Sequence, residues 1–384
     1  MTCFIKLVIL KMKGSVLKML KRFEVTGFKN FENKIVLDFT DTRDYRFNEQ
    51  CLSENLLSKV IIYGKNSIGK TNIGLALFDI VSHLTSKNVT PNLYDYYLNA
   101  SNNKKYAEFR YQFQFDCDTV YYVYKKDSKR NLLYEKLLIN NDFIFDYDYE
   151  EKEGNIDGLS EIAPTLNWAY NDVDSILKYV INNTVLDKKH PLNQMINYVS
   201  NMLWFRSLDE NRYIGYKNKS DDYYDFIFDK DVLHEFESFL HQAGIDEKLV
   251  VNEGIDGIKR LYFDKNIPLP FFKVASSGTK ALYTFFYWYK TAKDVSLMFI
   301  DEFDAFYHFE LAETIVSIIE KMKNTQVMLT SHNTNLLSNK IMRPDCYFIL
   351  TKSRITSIAN ATNRELREGH NLEKLYMSGE FDEK

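Results

Sequence analysis

The chain has 384 residues, 45% hydrophobic and 27% charged, an ordinary globular composition with material for two or three compact units. Its net charge of -4 excludes binding to nucleic acid or anionic membranes by bulk positive charge, although a local basic patch stays open. The four cysteines are scattered too widely for a metal knuckle or a redox pair, and no stretch approaches the roughly 18 apolar residues of a membrane span.

Phe4 to Leu10 is apolar but short, is interrupted by Lys6 and has no small-residue cleavage site after it, so a signal peptide is not expected. Regular patterning starts at Met19, and residues 1–18 read as an N-terminal extension, with Met12 and Met19 as alternative starts. Leu20 to Phe28 and Lys34 to Phe39 alternate and predict two strands, and Val60 to Tyr63 predicts a buried parallel strand. A helix is predicted over about 70–84 and a polar loop over 86–103. Four alternating runs, 107–115, 120–125, 132–139 and 143–149, predict an antiparallel meander that ends in an acidic linker, Asp146 to Glu153. Residues 155–250 read as mainly helical, with amphipathic runs at 175–180, 193–204 and 231–243 and no sustained heptads. Strands are expected at 257–263 and 267–272. The last third then alternates: helix 279–292, strand 296–300, helix 308–322, strand 327–330, helix 333–339 and strand 346–351, the pattern of a parallel sheet covered by helices.

Four stretches carry chemistry. Gly64 to Thr71 reads GKNSIGKT and fits G-x-x-x-x-G-K-[ST] between a strand and a helix. Its backbone N–H groups suit a phosphate chain, Lys70 the β/γ oxygens and the Thr71 hydroxyl a Mg²⁺ ion. Leu297 to Asp304 reads LMFIDEFD, a buried strand delivering Asp301 and Glu302 at its C-terminal tip, where open α/β sheets bind ligands. Asp301 suits the metal and Glu302 the polarisation of a water. Val274 to Leu282, VASSGTKAL, opens a helix with two serines and a glycine, which is either a plain cap or a second anion site. Leu329 to Asn333, LTSHN, presents His332 at another strand tip.

This ordered set (GFKNF near the start, GKNSIGKT, ASSGTK, FIDEFD, then SHN) resembles ABC-type ATPase heads of the SMC/RecF-like branch. The stretch between Lys70 and Ser276 is too short for an SMC-type coiled-coil arm. More narrowly, MLKRFEVTGFKNF, ASSGTK and NLEKLYMSGEF resemble the compact RecF-like ATPases of bacterial abortive-infection and anti-phage systems (AriA-like, or OLD-like without the Toprim nuclease). The resemblance implies an α/β P-loop fold with a mixed and parallel sheet core, an antiparallel lobe and a helical insert. Residues 19–154 and 257–384 would form the two parts of the head, with the insert at 155–256. It implies ATP and Mg²⁺ as ligands, held by Gly64, Lys65, Asn66, Ser67, Gly69, Lys70, Thr71 and Asn72, with Lys29 and Asn30 near the ribose and base. Asp301 joins Thr71 as metal ligand, and Glu302 and His332 are the catalytic carboxylate and the γ-phosphate sensor. Ser276, Ser277, Gly278 and Thr279 would reach the nucleotide of a second copy, and His308 would lie near the loop that crosses between copies.

Thr279 stands where many such heads carry Gln or Glu, and Gln112 and Gln114 are the candidates for the glutamine these heads place after the first helix. Both departures imply slow hydrolysis. The expected function is a cytoplasmic ATPase that self-associates through shared ATP sites, off the membrane, and regulates a separate effector such as a nuclease or toxin in anti-phage defence. The alternative is a RecF-like DNA repair or replication ATPase that binds DNA directly. GFKNF and the helical insert fit a transporter subunit poorly.

Overall fold

The computed structural model describes residues 17–85, 94–101, 103–168, 175–206, 212–215, 222–254, 256–291, 293–305 and 308–382. Expectations for residues 1–16 and 86–93 lie outside the described residues.

Two seven-stranded sheets make up the chain. The first has the order β10-β9-β8-β7-β6-β1-β2 and is antiparallel throughout. It consists of β1 (Lys18–Thr26), β2 (Ile35–Asp38), β6 (Ala107–Phe115), β7 (Asp118–Lys126), β8 (Leu132–Ile139), β9 (Asp142–Asp148) and β10 (Glu153–Asn155). Along β6 burial alternates strictly, so Phe109, Tyr111, Phe113 and Phe115 face the core while Glu108 and Arg110 do not. The acidic stretch expected to be a linker is strand β9 turning into the edge strand β10. Asp146 and Asp148 on β9 stay only partly buried next to that edge, so their charge does not prevent pairing.

The second sheet has the order β12-β11-β16-β17-β5-β18-β19. Its five inner strands, β11 (Met202–Arg206), β16 (Leu297–Asp301), β17 (Gln326–Thr330), β5 (Lys59–Tyr63) and β18 (Tyr347–Leu350), run parallel, and β12 (Arg212–Gly215) and β19 (Ile355–Ser357) close its edges antiparallel. Every residue of β5, β16, β17 and β18 is buried, the pattern of strands covered on both faces. Two small sheets complete the set: β3 (Leu52–Ser53) with β4 (Leu56–Leu57), and β13 (Leu249–Glu253) with β14 (Lys259–Phe263) and β15 (Leu269–Pro270).

Helix α1 (Lys70–Thr85) leaves the phosphate-type loop and packs on β11 and β16. Gly74 permits this closeness, because a Cβ there would stand 2.8 Å from Phe299 and 3.0 Å from Trp204. The remaining main helices are α2 (Ile176–Asn183), α3 (Pro191–Ser200), α4 (Lys230–Gln242), α5 (Ser277–Thr291), α6 (Phe309–Glu320) and α7 (Leu372–Met377). Three expectations change. The helix expected over 193–204 ends at Ser200, and Met202 onward is a strand inside the parallel sheet. The strand expected over 267–272 is cut to two residues by a helical turn, Phe271–Val274. The helix expected over 333–339 is a single 3-10 turn, Thr334–Leu336.

A buried polar network joins α1 to the antiparallel lobe. Asp79, fully buried, accepts from Lys126 Nζ at 2.6 Å and from the Tyr97 and Tyr124 hydroxyls at 2.9 Å each. Burial alone would raise the Asp79 carboxyl, but the adjacent Lys126 ammonium holds it below its usual range. Glu135, equally buried, accepts from Ser175 Oγ at 2.6 Å and from the Ile176 N–H at 3.0 Å, and so ties α2 to the same lobe. Gln326, at the start of β17, donates to the Leu20 carbonyl and accepts from the Leu20 N–H at 3.1 Å each, which stitches the two sheets together. The α/β P-loop architecture with its antiparallel lobe, expected from the sequence, is the architecture observed.

Candidate functional site

The tips of β5, β16 and β17 meet at one end of the parallel sheet. β5 ends at Tyr63, and the chain turns through Gly64 to Gly69 into α1. Ser67 and Gly69 have positive φ, 61° and 111°. Gly69 is doubly constrained: its conformation is one side chains rarely adopt, and a Cβ would lie 2.2 Å from Asn30 Nδ2. Lys65, Asn66 and Ser67 are exposed on the loop. A loop of this shape at the start of a 16-residue helix turns free N–H groups and the positive end of the helix dipole towards the same point.

Asp301 ends β16 with both carboxylate oxygens engaged. Oδ2 accepts from the Thr71 hydroxyl at 2.7 Å, and Oδ1 accepts from the Thr330 hydroxyl at 2.7 Å. The same Thr330 hydroxyl accepts the Glu302 N–H at 2.7 Å. Glu302 is held in the left-handed region at φ 48°, a conformation that costs a glutamate about 1–3 kcal/mol unless its surroundings fix it. Thr330 provides that fixing by holding the Glu302 N–H. Next along the β17 tip, the Ser331 hydroxyl donates to Asp304 at 2.6 Å and accepts the Asn333 N–H at 2.9 Å. Burial raises the Asp304 pKa, with the Ser331 hydrogen bond opposing it.

His332 Nε2 lies 2.5 Å from Lys70 Nζ and 3.9 Å from Glu302 Oε1. A lysine ammonium only donates, so Nε2 is the acceptor in this contact, and Nδ1 lies 3.5 Å from the same ammonium. Burial and then the Lys70 charge lower the His332 pKa, against the opposing charges of Glu302, Asp304 and Asp301. Lys70 also donates to the Gly64 carbonyl at 3.2 Å. Its own pKa is lowered by burial, against the opposing charges of Glu302, Asp301 and Asp304.

The site thus brings together Gly64, Gly69, Lys70, Thr71, Asp301, Glu302 and His332. Asn30 joins them: its Nδ2 donates to the Ile68 carbonyl and its Oδ1 accepts from Asn72 Nδ2 at 2.7 Å. Lys29 is directed elsewhere, its ammonium donating to the Asp95 carbonyl at 2.7 Å. Ser276 caps α5, accepting the Thr279 N–H at 3.1 Å and lying 2.8 Å from the Thr279 hydroxyl. Among the described residues, no hydrogen bond links Ser276 to Thr279 with the P-loop. Ser276 and Ser277 are exposed, whereas Thr279 is buried. Gln114 donates to the Asp116 and Asp118 carbonyls at a hairpin turn, and Gln112 lies on β6 opposite Arg22. Neither glutamine has a hydrogen bond to the site.

Sequence reasoning passed over Thr330, although a hydroxyl beside a strand-tip Ser-His was its signal. It also passed over the tail's part. Tyr376 packs its ring 6.2 Å from that of Tyr63, Glu373 accepts from Thr334 at 3.1 Å, and Phe381 is buried, so α7 braces the turn that follows His332.

Among the described residues, no cluster of three or more His, Cys, Asp or Glu is poised to cage a metal unaided. Thr71 and Asp301 offer hard oxygens at one point, which suits Mg²⁺, an ion that keeps waters and phosphate oxygens in its shell. Nor, among the described residues, is any helix long and apolar enough to cross a membrane.

Comparison with known proteins gives three findings. No curated protein matches the sequence. Solved structures similar to the chain include the SMC head domain from Thermotoga maritima, 14% identical with a TM-score of 0.43, covering 88% of this chain and 98% of that one. The Smc head domain with a coiled coil and joint from Pyrococcus yayanosii is 11% identical with a TM-score of 0.48, covering 89% and 97%. A family match spans residues 59–338, from the strand before the P-loop to just beyond His332. That span is well over half of the chain, and the protein belongs to the family described as "AAA domain, putative AbiEii toxin, Type IV TA system".

Proposed function

We propose that the protein is a cytoplasmic, ATP-driven switch. It binds ATP with Mg²⁺, pairs with a second copy through the bound nucleotide, and in that form controls a separate effector, such as a nuclease or toxin, in bacterial anti-phage defence. One observation carries the reading. The Thr71–Asp301 hydrogen bond at 2.7 Å sets a P-loop hydroxyl and a strand-tip carboxylate on one point, with Glu302 the next residue in the chain. That is the layout phosphoryl transfer to water requires.

In this reading the N–H groups of Gly64 to Thr71 cradle the phosphates, with Lys65, Asn66, Ser67 and Asn72 flanking them. Lys70 neutralises the β/γ oxygens. Thr71 and Asp301 hold the Mg²⁺, which supplies positive charge to the phosphate oxygens when bound. Glu302 takes a proton from the attacking water as that water's oxygen bonds to the γ-phosphorus and the bond to the ADP oxygen breaks. His332, at the β17 tip beside Lys70, is suited to donate a ring N–H to the γ-phosphate. The exposed Ser276 and Ser277, with Gly278 and Thr279 at the N-terminus of the 15-residue α5, suit a phosphate brought by the second copy. The family description, which names a toxin of a toxin–antitoxin system, supports the defence setting.

Glu302→Gln tests the core of the proposal. Phosphate release should fall by about 10²–10⁴-fold while ATP affinity is kept, and the protein should accumulate as a dimer or larger species with ATP. Hydrolysis at the wild-type rate removes Glu302 from its role. For the defence part, a chain that purifies without its gene neighbours' products and confers no phage resistance alongside them counts against the proposal.

A further inference from the structure

The residues assigned above to the nucleotide serve phosphate, metal and water, and neither these nor Lys29 and Asn30, expected near the ribose and base, offer a flat apolar face. Such a face stands close by. Tyr96 is 94% exposed, between Tyr94 at 6% and Tyr97 at 2%. Its neighbours are anchored: the Tyr97 hydroxyl donates to Asp79 at 2.9 Å, and Arg130 lies 4.5 Å over the Tyr94 ring. Tyr96 itself is held at φ 52°, in the left-handed region that a tyrosine rarely adopts, and has no ring or hydrogen-bond partner among the described residues. An apolar side chain held out to solvent in an unfavourable conformation is a feature that packing does not explain.

The turn bearing Tyr96 is tied to the phosphate loop through two consecutive residues. The Lys29 N–H donates to the Tyr97 carbonyl at 3.0 Å, and the Lys29 ammonium donates to the Asp95 carbonyl at 2.7 Å, so both neighbours of Tyr96 are bound by Lys29. Lys29 is itself left-handed, at φ 47°. Asn30 follows it and bonds to the Ile68 carbonyl and to Asn72, pressed against Gly69. The turn that bears Tyr96 is therefore joined to the phosphate loop through Lys29 and Asn30.

We propose that Tyr96 is the platform on which the nucleobase stacks when a nucleotide occupies the P-loop, an inference that rests on the nucleotide reading above. Every base has a π-face, so stacking tolerates any base. Tyr96 then separates nucleotides from bare polyphosphate, without choosing adenine over guanine.

The test is calorimetric titration of the full chain with Mg²⁺ and either ATP, GTP or inorganic tripolyphosphate. Tyr96→Ala should weaken ATP and GTP by roughly 5- to 150-fold and leave tripolyphosphate unchanged, while Tyr96→Phe should keep wild-type affinity. In Tyr96→Trp, the emission at position 96 should change on adding ATP and stay constant on adding tripolyphosphate. If wild type binds ATP and Tyr96→Ala binds it equally well, the platform is overturned and the nucleotide reading stands. An equal loss for tripolyphosphate also overturns it, because Tyr96 would then act by shaping the loop. If wild type binds no ATP, the nucleotide reading falls and takes the platform with it.

Discussion

Replacing Lys126 with methionine probes the link between α1 and the antiparallel lobe. The change keeps an apolar stem and removes the ammonium, which lies 5.0 Å from the centre of the Tyr124 ring. Asp79 is then left fully buried, with two tyrosine hydroxyls and without its partner ammonium. Breaking a buried pair from one side costs about 3–5 kcal/mol. The carboxyl has an escape, because it can take a proton. From an unfolded pKa near 3.9, neutralising it at pH 7 costs about 4 kcal/mol, which caps the loss. At pH 5 the same route costs about 1.5 kcal/mol. Wild type behaves differently. Its Asp79 pKa is depressed, so that contribution is present above the unfolded pKa and is lost only as pH falls through the folded one. Urea midpoints should therefore show Lys126→Met less stable than wild type by about 3–4 kcal/mol at pH 7, with the gap narrowing by roughly 2 kcal/mol at pH 5. Adding Asp79→Asn should recover at least half of the pH 7 loss. A gap below about 1 kcal/mol at pH 7, or one that does not shrink towards pH 5, refutes the reasoning.

Gly69→Ala combines a forbidden φ with a clash against the Asn30 amide, so it should abolish nucleotide binding in a calorimeter while circular dichroism stays that of wild type. Ser277→Arg places a long charged side chain on an exposed helix start without disturbing the Ser276 cap; thermal midpoints should stay within about 1 °C and ATP-dependent assembly, followed by light scattering, should fail. An assembly equal to wild type would assign the self-association surface elsewhere.

The sequence made the local features legible and left the distant ones hidden. The P-loop, the meander and the Asp301-Glu302 tip each occupy a short window in which periodicity or spacing identifies them. Strand β11 escaped because Met202 to Phe205 follows an amphipathic helix with only Asn201 between them, and an apolar run gives no sign of where a helix stops and a buried strand begins. Asp79 escaped for a different reason. It interrupts the apolar face of α1, and its counter-ion lies 47 residues away on a strand of the other sheet. Lys29 was placed by resemblance near the nucleotide, and the bond from its ammonium to the Asp95 carbonyl is one that no local pattern could have indicated. Thr330 looked like an ordinary strand residue, and its role depends on β16 and β17 pairing in register so that their tips lie side by side.

The sheet orders bear on how the protein can be cut. The family match begins at residue 59 and ends at 338, so a fragment with those limits would carry the whole P-loop and both strand-tip carboxylates, Asp301 and Glu302. It would lack β18, whose backbone pairs with β5, and β1, whose backbone pairs with β6. Two long strands, one of them leading straight into the phosphate loop, would become raw edges open to pairing with other chains. Such a fragment should precipitate or domain-swap rather than report on the ATPase, so the boundaries that define the family by sequence are unsuitable as cloning boundaries.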